Sequence, residues 1–185
     1  MPIGRKVAIL IFLFLVIPCL ARQTSDRPKD QSKPDLSGTW TLDMINSDFD
    51  GPKSNLIYDS LTLILSHHDP ELRIIRQIAK KKKQWSQEVI YYTDGRGEKN
   101  SSFNKNETVE SKTYWQGNIL VTKGTATMPI AGDVIVSNTS DKWELSADGR
   151  ALIQISSSTF LRSKFGQTKF AFKERNERRV FTKTP

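Results

Sequence analysis

The sequence predicts an all-β protein, a single antiparallel up-and-down meander of about 8–10 strands that closes into a barrel. Short runs rich in Thr, Val, Ile, Tyr and Trp recur after Leu36, separated by turn residues at intervals of roughly ten residues. Asp94-Gly95 and Asp148-Gly149 supply the positive-φ residues that tight hairpins require, so neighbouring runs pair antiparallel. No window shows sustained helical periodicity. Closure is expected because an open meander would leave two exposed edges.

The first element along the chain is a leader. Arg5 and Lys6 precede an apolar run from Val7 to Ile17, and the small residue Ala21 ends the stretch. This pattern predicts a secretory signal peptide over residues 1–21. The apolar run is too short to span a bilayer and no comparable run follows it. We therefore expect no transmembrane segment in the mature chain and a periplasmic or extracellular location.

The single cysteine, Cys19, allows a second interpretation of this leader, in which the cysteine carries a lipid. Pro18 disfavours it, because the residue before a lipidated bacterial cysteine is normally Gly, Ala or Ser. Cleavage after Ala21 removes Cys19. The exported chain then depends on hydrophobic burial rather than on disulfides.

A polar spacer is expected at residues 22–35, which hold two prolines and no large apolar residue. Such a stretch cannot bury enough apolar surface to offset the entropy of ordering. The barrel is predicted over residues 36–173, and residues 174–185 are expected to form a basic C-terminal tail. The predicted strands are Gly38–Asp43, Leu61–Ser66, Leu72–Ala79, Gln84–Thr93, Glu98–Phe103, Thr108–Trp115, Asn118–Met128, Val134–Ser146, Ala151–Leu161 and Thr168–Lys173.

Basic residues outnumber acidic ones, 28 to 20, which gives a net charge of +8 and favours anionic partners. Lys80, Lys81, Lys82 and Lys83 lie together at a predicted hairpin tip. A solvated turn is the ordinary interpretation of such a run. The functional interpretation is a basic rim that binds an anionic polymer. Nucleic acid is not expected as a partner, because acidic residues dilute the second basic cluster near the C terminus.

Strand alternation places hydroxyl groups on the same faces as large apolar side chains. Three such faces are Ile135, Ser137, Thr139, Asp141, Trp143 and Leu145; Ile153, Ile155, Ser157 and Thr159; and Val109, Ser111, Thr113 and Trp115. If these faces point inward, part of the interior is a cavity that holds water or the polar end of a ligand, because a buried hydroxyl needs a partner. The alternative is that the hydroxyls face solvent.

The motif Gly38-Thr39-Trp40 on the first strand, followed by Asp-Gly hairpins, resembles the lipocalin and calycin barrels, whose first strand carries Gly-x-Trp. The ordered series SGTWTLD, NSDF, YTDGRGE, W-x-G-N-x-L-V and KWELSADGR-x-L is similar to the lipocalin-like secreted proteins of soil bacteria such as the Acidobacteria. This resemblance covers Leu36 to about Lys173. It implies a lipocalin-like barrel and ligand binding, and it implies no reaction.

Gly38 and Trp40 are expected to form a structural plug, since Trp buries a large apolar surface and Gly permits close approach. In lipocalins this Trp packs against a basic side chain near the last strand, for which Lys173, Arg175 and Arg178 are candidates here. The Thr-Asp-Tyr motif and the C-terminal helix of typical lipocalins are not recognisable. Transport of a specific small molecule is therefore not implied.

Catalytic and metal-binding chemistry finds few candidates. His67 and His68 are the only histidines, and a zinc site needs three or four convergent ligands, so we expect an exposed turn and no metal. A nucleophile elbow is absent from the sequence and the mature chain has no cysteine, so an enzyme is not expected. Asp141 with Glu88 or Glu110 could form a carboxylate pair for glycoside hydrolysis, but exposed carboxylates explain these residues equally well.

The sequence therefore predicts an exported, non-catalytic binding protein that holds a small, partly apolar molecule in a barrel cavity without a cofactor. The predicted ligand-binding residues are Tyr91, Val109, Trp115 and Trp143. The alternative is a barrel with a filled core that docks through its basic rim on an anionic envelope polymer or on another protein.

Overall fold

Antiparallel strands dominate the described part of the chain. The structure is a computed structural model and describes residues 33–53, 56, 58–101, 106–130, 132–163 and 174–184. Its strands are β1 (Gly38–Asp48), β2 (Ser60–His68), β3 (Glu71–Lys80), β4 (Lys83–Tyr92), β5 (Glu98–Ser101), β6 (Thr108–Gln116), β7 (Ile119–Ile130), β8 (Asp133–Leu145), β9 (Ala151–Ser163) and β10 (Arg175–Lys183). Within these ranges, the structure holds no helix with the length and apolar character needed to cross a bilayer.

The ten strands form one sheet in the order β4-β3-β2-β1-β10-β9-β8-β7-β6-β5. Each neighbouring pair is antiparallel, and chain neighbours pair everywhere except between β4 and β5. The first strand also pairs with the last, which bends the meander into a nearly closed barrel. The predicted fold class, an all-β antiparallel barrel of about 8–10 strands, is confirmed.

Residues predicted to form a basic C-terminal tail instead complete the barrel. β10 pairs with β9 from Arg175 to Thr182 and with β1 from Arg178 to Lys183. The tail prediction is wrong for β10, because charged residues fill the first half of this strand and its buried residues, Val180 and Phe181, lie only near its end. The predicted signal peptide, Cys19, spacer residues 22–32 and the predicted strand Thr168–Lys173 lie outside the described residues.

The seam between β4 and β5 is bridged by side chains, with no backbone ladder among the described residues. Asn100 accepts a hydrogen bond from the Ile90 amide at 3.0 Å and donates to the Ile90 carbonyl oxygen at 2.8 Å. The carboxylate of Glu98 accepts from the Tyr92 amide at 3.3 Å. These side chains satisfy backbone groups that would otherwise form an open sheet edge.

The two ends of the barrel differ. The floor is the end that holds Trp40, the β2–β3 turn and the β8–β9 turn, and the mouth is the end that holds the β3–β4 turn and the starts of β8 and β10. Most of the buried apolar residues cluster toward the floor: Leu36, Trp40, Leu42, Leu63, Leu65, Leu72, Ile74, Leu120, Trp143, Leu152 and Phe181. The floor half of the barrel is therefore a packed core.

Burial shows which strand faces point inward. On β8 the face of Ile135 and Trp143 is buried, and on β6 the face of Ser111 and Thr113 is buried, which is the inward one of the two alternatives that the sequence left open. On β9 the solvent-facing alternative holds, since Ile155 is 47% exposed whereas Leu152 and Gln154 of the opposite face are buried. The stretch Ala151–Ile155 has apolar residues on both of its faces. Because Leu152 pairs with buried Phe181 and Gln154 pairs with Arg179, the face of Leu152 and Gln154 points inward.

Candidate functional site

Trp40 is fully buried at the floor, where its indole N–H donates to the Leu36 carbonyl oxygen at 3.0 Å. The Lys183 ammonium lies 5.3 Å from the centre of its ring, a cation–π arrangement. The basic partner is thus Lys183, and the candidates Arg175 and Arg178 were wrong because they lie nearer the mouth on the same strand. The third candidate, Lys173, lies outside the described residues. The role of Trp40 as a plug stays a prediction.

Trp143 and Trp115 also lie in the floor half. Trp143 stacks on Phe181 with ring centres 6.3 Å apart, and Trp115 lies 5.8 Å from the ring of His67. Both therefore pack against core side chains. Their predicted contact with a ligand stays a prediction.

The β2–β3 turn is exposed at His68, Asp69 and Pro70, as expected, but the side chain of His67 is buried. The His67 side chain is only 6% exposed and its Nε2 lies 3.0 Å from Asp69 Oδ1. Burial alone would raise the pKa of Asp69, but hydrogen bonds from Lys33, Thr93 and His67 outweigh it and hold the pKa well below its usual range. No cluster of three potential metal ligands occurs among the described residues.

A polar layer lies above the floor, on the inward faces of β8, β9 and β10. Gln154 is buried and joins Arg179 and Asp141, with its amide oxygen 3.2 Å from Arg179 Nη1 and its amide nitrogen 3.1 Å from Asp141 Oδ1. Asp141 also accepts from the Ser156 hydroxyl at 2.5 Å, and Glu177 pairs with Arg179. These polar side chains therefore satisfy most of one another's hydrogen-bonding capacity inside the barrel.

The polar layer continues on β5, β6 and β7. Glu98 accepts hydrogen bonds from Ser111 at 2.6 Å and from Thr113 at 2.8 Å. The Thr113 and Thr122 hydroxyls lie 2.9 Å apart. The proposed carboxylate pairs do not form, because Glu88 and Glu110 lie on the outer wall against Arg73 and Lys99 while Asp141 faces inward.

Two tyrosines face this layer from the other wall. Tyr91 is buried and its hydroxyl accepts from Arg76 Nη2 at 3.0 Å. Burial raises the pKa of Tyr91, with Arg76 opposing it. Tyr58 is buried and close to Arg179, and burial likewise raises its pKa. The Tyr58 hydroxyl and Arg179 Nε lie near each other, and neither makes a geometric hydrogen bond among the described residues.

A cavity of about 160 Å³ opens between the polar layer and the mouth. Its lining combines apolar and hydroxyl side chains and two charged residues at the entrance: Met128, Ile135, Ser137, Thr139, Ser158, Phe160, Glu107 and Arg175. Ser158 pairs with Thr139 two residues beyond the Ser156–Asp141 pair, so the cavity lies one step above the polar layer. Ser137, Thr139 and Ser158 therefore line a cavity, whereas the hydroxyls that share a face with exposed Ile155 on β9 lie on the outer wall.

The predicted ligand residues and this cavity do not coincide among the described lining residues. Val109 lies on the inward face of β6, opposite Ala126, while Tyr91 belongs to the polar layer and the two tryptophans to the floor. Sequence reasoning missed the inward arginines Arg76 and Arg179. The alternation of Arg76 with the apolar residues of β3 was the signal that could have found it.

The predicted basic rim, Lys80–Lys83, forms the β3–β4 turn at the mouth. Lys80 Nζ donates to the Leu56 carbonyl oxygen, and the Lys81 amide donates to Asp59 Oδ2 at 2.6 Å. Lys81 adopts φ of +54°, a turn conformation that this hydrogen bond helps to hold. Trp85 follows on the inward side of β4 and is 36% exposed.

No family model and no curated protein match the chain. Among solved structures, the chain is similar to a point mutant of the fatty acid transporter REP1-NXSQ, with a TM-score of 0.51 and 11% sequence identity. The alignment covers 81% of this chain and 98% of that one. At this identity the likeness shows a shared fold, a barrel of the kind that the sequence resemblance implied.

Proposed function

We propose that this protein is an exported, non-catalytic carrier that holds a small, partly apolar molecule in the upper half of its barrel. The ligand would enter at the mouth, occupy the 160 Å³ cavity and turn its polar end toward the polar layer. The packed floor, with Trp40 beneath it, would close the other end. Export rests on the signal peptide predicted at residues 1–21.

The polar layer carries this proposal. A barrel selected only for stability would fill its centre with apolar side chains, because buried charges rarely improve on well-packed apolar groups. Here Arg76, Arg179, Asp141 and Glu98 occupy that centre, and the Tyr58 hydroxyl near Arg179 makes no geometric hydrogen bond among the described residues. Such groups are typical of a site that orients the polar end of a ligand.

The cavity also limits the ligand. Pockets for drug-sized ligands usually measure about 300–1,000 Å³. A cavity of 160 Å³ holds a small molecule, or one end of a longer molecule that extends through the mouth. The fold neighbour is named as a fatty acid transporter, which makes fatty acids the first ligands to test.

The test is displacement of a fluorescent fatty acid by short-chain and long-chain fatty acids, measured in parallel with the variant Ser158→Phe. Ser158 lines the cavity, and a phenyl ring there fills it. We expect the variant to weaken probe binding by at least about tenfold, which corresponds to ~1.4 kcal/mol.

The matched control is Thr159→Phe, one residue further on the exposed outer face of β9. It should leave probe binding unchanged. Equal loss in both variants, or no binding of any fatty acid to the unmodified chain, would contradict the proposal and favour the filled-barrel alternative.

A further inference from the structure

Two of the large apolar side chains that remain exposed lie at the mouth. Among the described residues the exposed large apolar side chains are Ile45, Trp85 and Ile155, with exposures of 87%, 36% and 47%. Ile155 lies on the outer wall, whereas Ile45 and Trp85 lie at the mouth ends of β1 and β4. Large apolar side chains that stay exposed toward one end of a barrel point to a contact surface at that end.

Cations lie beside Trp85 at this end of the barrel. Lys81, Lys82 and Lys83 form the adjacent turn and take part in no ion pair among the described residues. Arg175 is exposed at the cavity entrance on the same end of the barrel. We call this set, Ile45, Trp85, Lys81–Lys83 and Arg175, the mouth surface.

The turn of the mouth surface is held in place rather than loose. Asp59 donates its amide hydrogen to the Ala79 carbonyl oxygen at 2.8 Å and accepts the Lys81 amide through its carboxylate. Lys80 is tied to the Leu56 carbonyl oxygen. The three following ammonium groups therefore project from a fixed backbone, with their aliphatic stems beside Trp85.

We propose that the mouth surface docks on an anionic phospholipid bilayer. The lysine side chains are attracted to the negatively charged surface of such a bilayer, and each lysine adds to the binding free energy. The Trp and Ile side chains enter the interfacial region of the bilayer. An indole ring suits the interfacial region of a bilayer because it is apolar with one polar edge. A soluble polyanion would be matched by the lysines alone and would give the two apolar side chains no role.

The position of the cavity adds a consequence. Its entrance and the mouth surface lie at the same end of the barrel, so a docked barrel presents its cavity to the lipid. An apolar molecule could then pass between membrane and barrel without crossing water. Docking itself does not depend on what the cavity holds, so it goes beyond the proposed function.

The experiment titrates the exported chain, residues 22–185, with vesicles of neutral phosphatidylcholine alone or mixed with anionic phosphatidylglycerol. Trp85 is the exposed indole of the four tryptophans, so its emission reports contact. We expect binding and a blue shift only with anionic vesicles. Replacing Lys81, Lys82 and Lys83 with Gln should weaken binding on the order of 100-fold at low salt.

The matched control replaces Lys112, Lys123 and Lys142 with Gln, three exposed lysines on the outer wall. It removes the same charge and should change vesicle binding by less than about threefold, because those lysines lie on the outer wall and not on the mouth surface. Ile45→Ser should also weaken vesicle binding, and this loss should persist at high salt. All of these variants should keep the binding of the fluorescent fatty acid, which separates docking from the carrier function.

Equal losses in the two lysine variants would overturn the proposal. So would binding to the soluble polyanion dextran sulfate together with no blue shift on anionic vesicles, a result that would assign the lysines to an anionic polymer.

Discussion

Gly38 shows at the scale of one residue why the first strand opens as it does. Its φ is +138°, a conformation that residues with a side chain rarely adopt, and a Cβ built there would lie 2.9 Å from Lys183 Cε. The Lys183 side chain is the one that covers Trp40. Glycine at this position therefore serves both the backbone and the approach of the lysine to the indole ring.

Gly38→Ala should lower the free energy of unfolding by about 1–3 kcal/mol, because alanine is strained at this φ. The contact with Lys183 adds little, since the end of a lysine can move. Urea unfolding measures the loss. Gly149→Ala is the control, with φ of +69° and no atom within 4 Å of the added Cβ, and it should cost only about 1 kcal/mol.

Asp69 makes the stability of the floor depend on pH. Its pKa is lowered in the folded chain, so the unfolded chain takes up the proton first as the pH falls. The contribution of Asp69 is therefore present at neutral pH. It is lost progressively as the pH falls below about 4, the ordinary pKa of aspartate, toward the lowered pKa of the folded state.

Asp69→Asn tests this dependence through urea unfolding at neutral pH and at about pH 3. The variant should be less stable than the unmodified chain at neutral pH, and this difference in stability should be smaller, but still present, at about pH 3. Parallel losses of stability across the whole range would show that Asp69 contributes packing rather than charge.

Residues whose role follows from local pattern were predictable, and residues defined by distant partners were not. Gly38 and Trp40 stand out in the sequence by their spacing. Lys183 does not, because only the pairing of β1 with β10 brings it to the indole ring. His67 was misjudged for the same reason, since its burial depends on Trp115 and on the segment before β1.

At the scale of the element, the β4–β5 seam is the irregular place in the barrel. Asn100 mimics a neighbouring strand by pairing with both backbone groups of Ile90. Asn100→Ala should cost about 1–3 kcal/mol, because it leaves a backbone donor and acceptor without partners. Faster hydrogen exchange of the Ile90 amide would locate the loss at the seam.

The control is Asn138→Ala on the exposed face of β8, which should change stability by no more than about 0.5 kcal/mol. If the Asn100 variant were as stable as this control and kept the Ile90 amide protected, the side-chain bridge would not hold the seam.

The strands themselves were largely predictable, because period-2 alternation and turn residues mark them. The seam was not, since a hydrogen bond from a side chain to a backbone across a sheet edge leaves no periodic signal. β9 shows a related limit. Its apolar residues fall on both faces, and only the partners of Gln154 decide which face turns inward.

At the scale of the whole molecule, the barrel divides into a floor that stabilises it and an upper half where polar groups are concentrated. Sequence composition predicted both kinds of residue but not their separation along the axis. That separation arises because strand pairing aligns Gln154 with Arg179 and Asp141 with Ser156 at one height. The position of the cavity above this layer therefore became visible only in the assembled barrel.

Removal of β10 tests the closure on which this arrangement depends. The strand lies between β9 and β1, and its fully buried Phe181 stacks on Trp143. A chain that ends at Glu174 leaves two unpaired edges and a gap in the core, so we expect it to lose cooperative urea unfolding. The full-length variant Phe181→Ala should still unfold cooperatively, with a loss of about 3–5 kcal/mol, because it removes the ring and keeps both ladders. A shortened chain that unfolds like the complete one would show instead that the barrel closes without its last strand.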